Sequence, residues 1–222
     1  MEEKVNDMLL IRPYMREHAV EYAKAWAFSQ NPLFGDFDAI GGNCTNFASQ
    51  CLYAGSCRMN YLPVFGWYYI SIDERAPAWT GVEYFYNFLV SNRGEGPFGR
   101  EGTPDEIEVG DMIQLGRTGE GFYHTLVIVG FEEEEPLVAA QSDDAYDRPL
   151  SSYTYDFLRY IKILGVRVRT PSVSDCFDGV IEGTSLMPEN GSNEPDGNES
   201  DGNEPNGNES DGNGLTPPPM FP

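Results

Sequence analysis

The chain has 222 residues and a formal charge of −22, set by 36 acidic side chains against 14 Lys and Arg. Nucleic-acid binding and attachment to anionic membranes both need clustered cations, and no such patch occurs, so neither partner fits. Eleven of the acids lie beyond Thr170, a region without Lys or Arg, which places one folded domain at residues 14–170 and a different kind of chain after it.

The first apolar run, Met8 to Ile11, is too short for a signal peptide or a membrane span. The expectation is a cytoplasmic chain, or a cell-wall-associated one if it is released by lysis or has lost a leader. From Glu17 to Ser29, Ala19, Tyr22, Ala23, Trp26 and Ala27 recur at intervals of three and four, which predicts an amphipathic helix that Asn31-Pro32 stops. His18, in its first turn, reads as a partly exposed helix residue. A loop from Phe34 to Ile40 leads to Gly41-Gly42-Asn43-Cys44, where two glycines permit a tight turn and Cys44 opens a second helix. Phe47, Ala48, Cys51 and Leu52 share one face of that helix, and Gly55 is expected to end it.

The stretch Asn60 to Trp79 is aromatic but broken by Pro63, Gly66 and Pro77; most of it is expected to pack on the core, with one or two rings at the site. Thr80-Gly81-Val82-Glu83 has the form of a capping box ahead of a helix through Val90. Four later runs rich in β-branched and aromatic residues predict strands: Asp111 to Leu115, Phe122 to Phe131, Pro136 to Gln141 and Tyr160 to Val168. Glu132 to Glu135 form the tip of a hairpin between the middle two. Helices first and strands later point to an α+β domain, with helices packed on a small antiparallel sheet.

Residues 171–187, which include Cys176, Phe177, Val180 and Ile181, form a possible docking segment. Residues 188–222 carry a five-residue Asn/Glu/Gly-rich unit four times without an apolar side chain, so they are expected to be a disordered acidic tail. Four cysteines without an export signal are expected to be reduced. Their spacing gives no zinc pattern, and no metal or cofactor is expected.

Cys44 combines a nucleophile with a helix N-terminus, whose unpaired N–H groups favour thiolate. Its partner must be found elsewhere, and His124 is the only histidine after it. Thiolate beside imidazole is the activated pair of cysteine hydrolases. A symmetrical hairpin sets His124 across from Gln141, Ser142, Asp143 and Asp144, any of which could orient the ring.

Taken together, Tyr22-Ala23, Trp26-Ala27, Asn31-Pro32, Asp36-Phe37, Gly41 to Leu52, Phe65 to Tyr69, Trp79, Gly110-Asp111, Ile113 to Leu115, Tyr123-His124 and Arg148 to Tyr153 resemble the "Putative amidase domain" family of Gram-positive bacteria. That family is similar to the papain-like cell-wall amidases and peptidases. The resemblance runs from about Tyr14 to Val168. It implies a papain-like cysteine-hydrolase fold with Cys44 as nucleophile and His124 as general base and acid. Its substrate would be an amide or peptide bond, with peptidoglycan stem peptides among the candidates, and the chain would act as a monomer. Gln141 stands at the third catalytic position, with Asp143 and Asp144 as alternatives. The oxyanion would face the Cys44 backbone N–H, with Asn43 beside it. The rival expectation is a catalytically silent module that uses the same cleft to bind a peptide or cell-wall fragment.

Overall fold

A computed structural model describes residues 9–170 and 175–186; the repeats and the rest of the expected 188–222 tail lie outside the described residues. In chain order come strand β1 (Leu10–Arg12), helices α1 (Arg16–Trp26) and α2 (Cys44–Ser56), the one-turn helix α3 (Pro77–Thr80) and helix α4 (Val82–Ser91). Strands β2 (Gly96–Gly102), β3 (Met112–Arg117), β4 (Gly121–Glu132), β5 (Glu135–Ala140), β6 (Ala145–Pro149) and β7 (Phe157–Val168) follow, then helix α5 (Phe177–Ile181). The seven strands form one antiparallel sheet in the order β1-β7-β3-β4-β5-β6, with β2 on the opposite side of β7. The domain is therefore α+β, and its sheet is larger than the four strands expected.

Each strand alternates its side chains between two faces. Met112, Val127, Ala139, Ile161 and Ile163 meet α1 and α2 through Ala19, Tyr22, Ala23, Phe47, Ala48, Cys51 and Leu52, all buried. On the other face, Ile113, Leu115, Leu126, Ile128, Val138 and Ala140 bury under Ile107 and Leu150, flanked by Tyr123, Tyr153 and Tyr155. One buried ion pair ties α1 to the sheet. Arg16 reaches Asp111 at 2.7 Å, and Asp111 also accepts the N–H groups of Glu108 and Ile163. Burial pushes the Asp111 carboxyl above its usual range, and these three donors oppose that by favouring the carboxylate.

The aromatic stretch packs over α2. Trp67 and Trp79 are fully buried with ring centroids 4.9 Å apart, and burying such a ring contributes on the order of 2–3 kcal/mol. Tyr61 and Phe65 are exposed instead, and no ring of this stretch lines the cleft described below.

Three local expectations are corrected. No side chain caps α4: its N-cap is Gly81, Thr80 ends α3, and Glu83 turns to Arg159 at 3.1 Å. Helix α2 runs on to Ser56 and stops at Cys57, which is left-handed at φ 44°. Gly55 is required for close approach, since a Cβ there would lie 2.3 Å from the Tyr14 ring. Cys57 and Cys176 form a disulfide across 119 residues, so the cysteines are not all reduced thiols. That bridge anchors the segment bearing α5, in which Val180 is buried, Phe177 stacks on His18 with centroids 3.9 Å apart, and Ile181 accepts the Trp26 indole N–H. Among the described residues, no helix is long and apolar enough to cross a membrane.

Candidate active site

The approach to α2 is built on two glycines with positive φ, Gly41 at 146° and Gly42 at 97°, values that side chains rarely adopt. Gly42 also lies under Ser142, whose Oγ would be 3.2 Å from an added Cβ. Ser142 is itself left-handed at φ 70° and closes the gap by accepting the Asn43 N–H and donating to Asp38. The β5–β6 turn is thereby pinned to the loop that precedes Cys44.

The polar residues of the Cys44 motif hold the helix in place. The Asn43 carboxamide accepts the Phe37 N–H at 2.9 Å and donates to Asp36 at 2.7 Å. Asn46 accepts the Trp79 indole N–H at 2.9 Å; Ser49 accepts that of Trp67 at 3.0 Å and donates to the Trp79 carbonyl; Gln50 accepts the Tyr22 hydroxyl at 2.7 Å. All are buried, so each bond satisfies a group that would otherwise cost about 1–3 kcal/mol. The Asn43 side chain is thus turned into the scaffold rather than into the cleft.

Cys44 is the first residue of α2 and is 7% exposed. The β4–β5 register ends at Val127↔Ala139, so Phe122 to Leu126 of β4 have no β5 partner, and the first turn of α2 meets β4 there. Thr45 Oγ1 lies 2.9 Å from Thr125 Oγ1 and 3.8 Å from the Cys44 sulfur. Burial pushes the Cys44 thiol above its usual range. It outweighs the Thr125 N–H, the Thr45 hydroxyl and the N–H groups of Thr45 and Cys44, all of which favour thiolate. The donors expected at the helix terminus are present, but burial is the larger effect and opposes them.

His124, on β4 opposite Leu115, lines the same cleft as Cys44, a space of about 470 Å³ bordered also by Gly41, Gly42, Ser142 and Asp143. Its pKa falls from 6.5 to about 4, chiefly through burial; Asp143 pulls it upward, while Arg148 and Arg117 push it down. Near neutral pH the resting pair is therefore an uncharged thiol and an uncharged imidazole, in which the ring can accept a proton.

The expected orienting residue does not hold the ring. The Gln141 amide donates to the carbonyls of Trp26 at 2.8 Å and Ser29 at 3.0 Å, closing the C-terminal end of α1. Asp143 pairs with Arg148 at 2.6 Å, and Asp144 lines a neighbouring groove with Asp38. His124 Nε2 is buried and makes no hydrogen bond. Sequence reasoning missed the ring's actual neighbours. The Tyr123 and Tyr153 centroids lie 6.1 and 5.9 Å from it, and Arg117 and Arg148 sit over those two rings at 4.2 and 4.0 Å. Tyr123-His124 and the run Arg148 to Tyr153 carried the signal, but as family motifs without assigned roles.

A curated protein of Bacillus subtilis (strain 168), "Uncharacterized protein YhbB", is 30% identical over 177 residues. The match covers 78% of this chain and 52% of that protein, so the chain spans about half the length of this relative. No solved structure matches. The family model described as "Putative amidase domain" matches residues 13–163, from the entry to α1 into β7 and with both Cys44 and His124 inside the match; the chain belongs to that family.

Proposed function

We propose that the chain is a cysteine-dependent hydrolase of amide or peptide bonds, working as a Cys44–His124 pair in a papain-like arrangement. The observation that carries this reading is that a cysteine at a helix N-terminus and a histidine on the adjoining strand line one cleft. The neutral imidazole takes the thiol proton as sulfur attacks the carbonyl carbon. The oxyanion faces backbone N–H donors of the first turn of α2, that of Cys44 among them. The imidazolium then protonates the leaving amine, and water, deprotonated by His124, cleaves the thioester. No third residue is assigned to hold the ring; Asp143 contributes charge alone, favouring the imidazolium.

A peptide or peptidoglycan fragment suits an open, polar cleft, and a monomer suffices to complete it. A wall substrate would require delivery to the wall by export or by release on lysis. One observation favours the silent-module alternative, namely that burial keeps both groups neutral and leaves His124 Nε2 without a partner. The experiment is a hydrolysis screen of peptidoglycan fragments and peptides with Cys44→Ala as control. Cleavage that Cys44→Ala retains removes Cys44 as nucleophile, and binding without cleavage supports the silent module.

A further inference from the structure

Two of the chain's 14 basic side chains stand at the Cys44–His124 cleft, although the chain as a whole carries −22. They are held alike. Arg117 lies over Tyr123 and Arg148 over Tyr153, so both aromatic neighbours of the imidazole carry a guanidinium. Stacking on a ring fixes the guanidinium plane while leaving its N–H edges free for a planar anion. Tyr123 is anchored by donating its hydroxyl to the Thr154 carbonyl at 2.9 Å, whereas the Tyr153 hydroxyl is buried without an aligned hydrogen bond.

The two cations differ in their existing partners. Arg148 already holds the Asp143 carboxylate at 2.6 Å and donates to Ser152, which shows that this wall accepts a carboxylate. Arg117 touches Glu120 at 3.8 Å, both side chains about half exposed, a contact of little energetic weight, and the exposed Asp156 carboxylate feels its charge without an ion pair to it. Asp143 borders both this cleft and the neighbouring groove that Asp38 and Asp144 also line; because Arg148 already neutralises it, the Arg117 side is the place left for a second carboxylate.

We propose that Arg117, supported by Arg148, makes this wall of the cleft a carboxylate-recognition subsite, so that the preferred ligand is an acidic peptide with its carboxylate beside the reacting amide. Its meaning as substrate specificity rests on the cysteine-hydrolase reading; the binding itself does not.

The test uses the full chain. N-acetyl-L-glutamate and N-acetyl-L-glutamine are titrated separately while the His124 imidazole is followed by NMR, in wild type and in Arg117→Gln. In parallel, Cys44 is alkylated with iodoacetate and with iodoacetamide, and the ratio of the two rates is compared between the same proteins. The expected result is saturable binding of N-acetyl-L-glutamate alone, lost in Arg117→Gln, with the iodoacetate-to-iodoacetamide ratio falling about five- to tenfold in that variant and less at high salt. Absence of N-acetyl-L-glutamate binding, or equal binding of both compounds, overturns the subsite even if Cys44 alkylates readily. Should Cys44 react with neither reagent while N-acetyl-L-glutamate still binds through Arg117, the subsite stands and the nucleophile assignment falls.

Discussion

Lowering the pH should destabilise this domain through His124 in a calculable way. The folded imidazole titrates at about 4, against 6.5 for an ordinary one, because it is buried with Arg148 and Arg117 nearby. As pH falls, the unfolded chain takes up this proton first, so stability linked to the neutral ring is complete above about pH 6.5 and is lost between there and about pH 4. The loss amounts to roughly 3 kcal/mol below both values, with about 2 kcal/mol of it gone by pH 5. Urea unfolding of wild type and His124→Gln from pH 7.5 to 4.5 isolates this contribution, since glutamine does not titrate and the other groups are common to both. The stability difference should shift by about 2 kcal/mol against wild type between pH 7.5 and 5. The same shift predicts that hydrolysis, where found, persists down to about pH 5 instead of failing near 6.5. An imidazole midpoint near 6.5 by NMR, or a stability difference independent of pH, would refute the reasoning.

Cys44→Ala and His124→Ala should each remove hydrolysis by several orders of magnitude while the circular-dichroism spectrum is kept, and Cys51→Ala, whose side chain is buried in the apolar core, should stay active. Gln141→Ala should cost about 1–3 kcal/mol by leaving the Ser29 carbonyl without this donor and the Trp26 carbonyl with the Ser29 N–H alone; a change of more than about half a unit in the His124 titration midpoint would show that Gln141 governs the ring after all. Replacing Cys57 and Cys176 together by Ser should lower stability by roughly 2–5 kcal/mol in denaturant melts, because the bridge closes 119 residues of chain; a free-thiol titration of the unreduced wild type that finds four thiols would contradict the bridge.

The parts of this fold that sequence reading recovered are those with a single strong periodicity. The α1 and α2 faces follow a period of three to four, and β3, β4, β5 and β7 are bounded runs of β-branched and aromatic residues. β1 has only three residues, and β2 is Gly96-Pro97-Phe98-Gly99-Arg100-Glu101-Gly102, a composition that reads as a turn; both become strands only because β7 offers edges to pair with. β6 contains Asp147, Arg148 and Pro149 and pairs with β5 at the sheet edge, where proline is tolerated. At the site, Cys44 and His124 were legible as residue types with a chemical complement. The role of Gln141 was not, because hairpin symmetry indicates which backbones are opposite but not which neighbour claims a side chain. Its amide lies within reach of the Trp26 and Ser29 carbonyls at the end of α1, and those acceptors, which still have lone pairs to fill, take it.

That substitution points to how this cleft is held together. A triad fixes its histidine through a hydrogen bond to the ring, whereas here His124 Nε2 has no partner, the ring's aromatic neighbours are Tyr123 and Tyr153, and the cysteine side carries the polar anchoring. Asn43, Asn46, Ser49 and Gln50 bond the first two turns of α2 to the 35–37 loop, to Trp79 and to α1, while Ser142 fastens the opposite rim. A buried amide or hydroxyl without its partner is costly, so each of these bonds permits one placement of the helix start and penalises the rest. Thr45 carries the constraint across to β4 through Thr125, whose hydroxyl also accepts from Gln114, and Gln114 in turn accepts from the buried Arg159. The thiol is therefore positioned from the helix and the sheet at once, while the imidazole is buried on β4 with Tyr123 and Tyr153 as its aromatic neighbours.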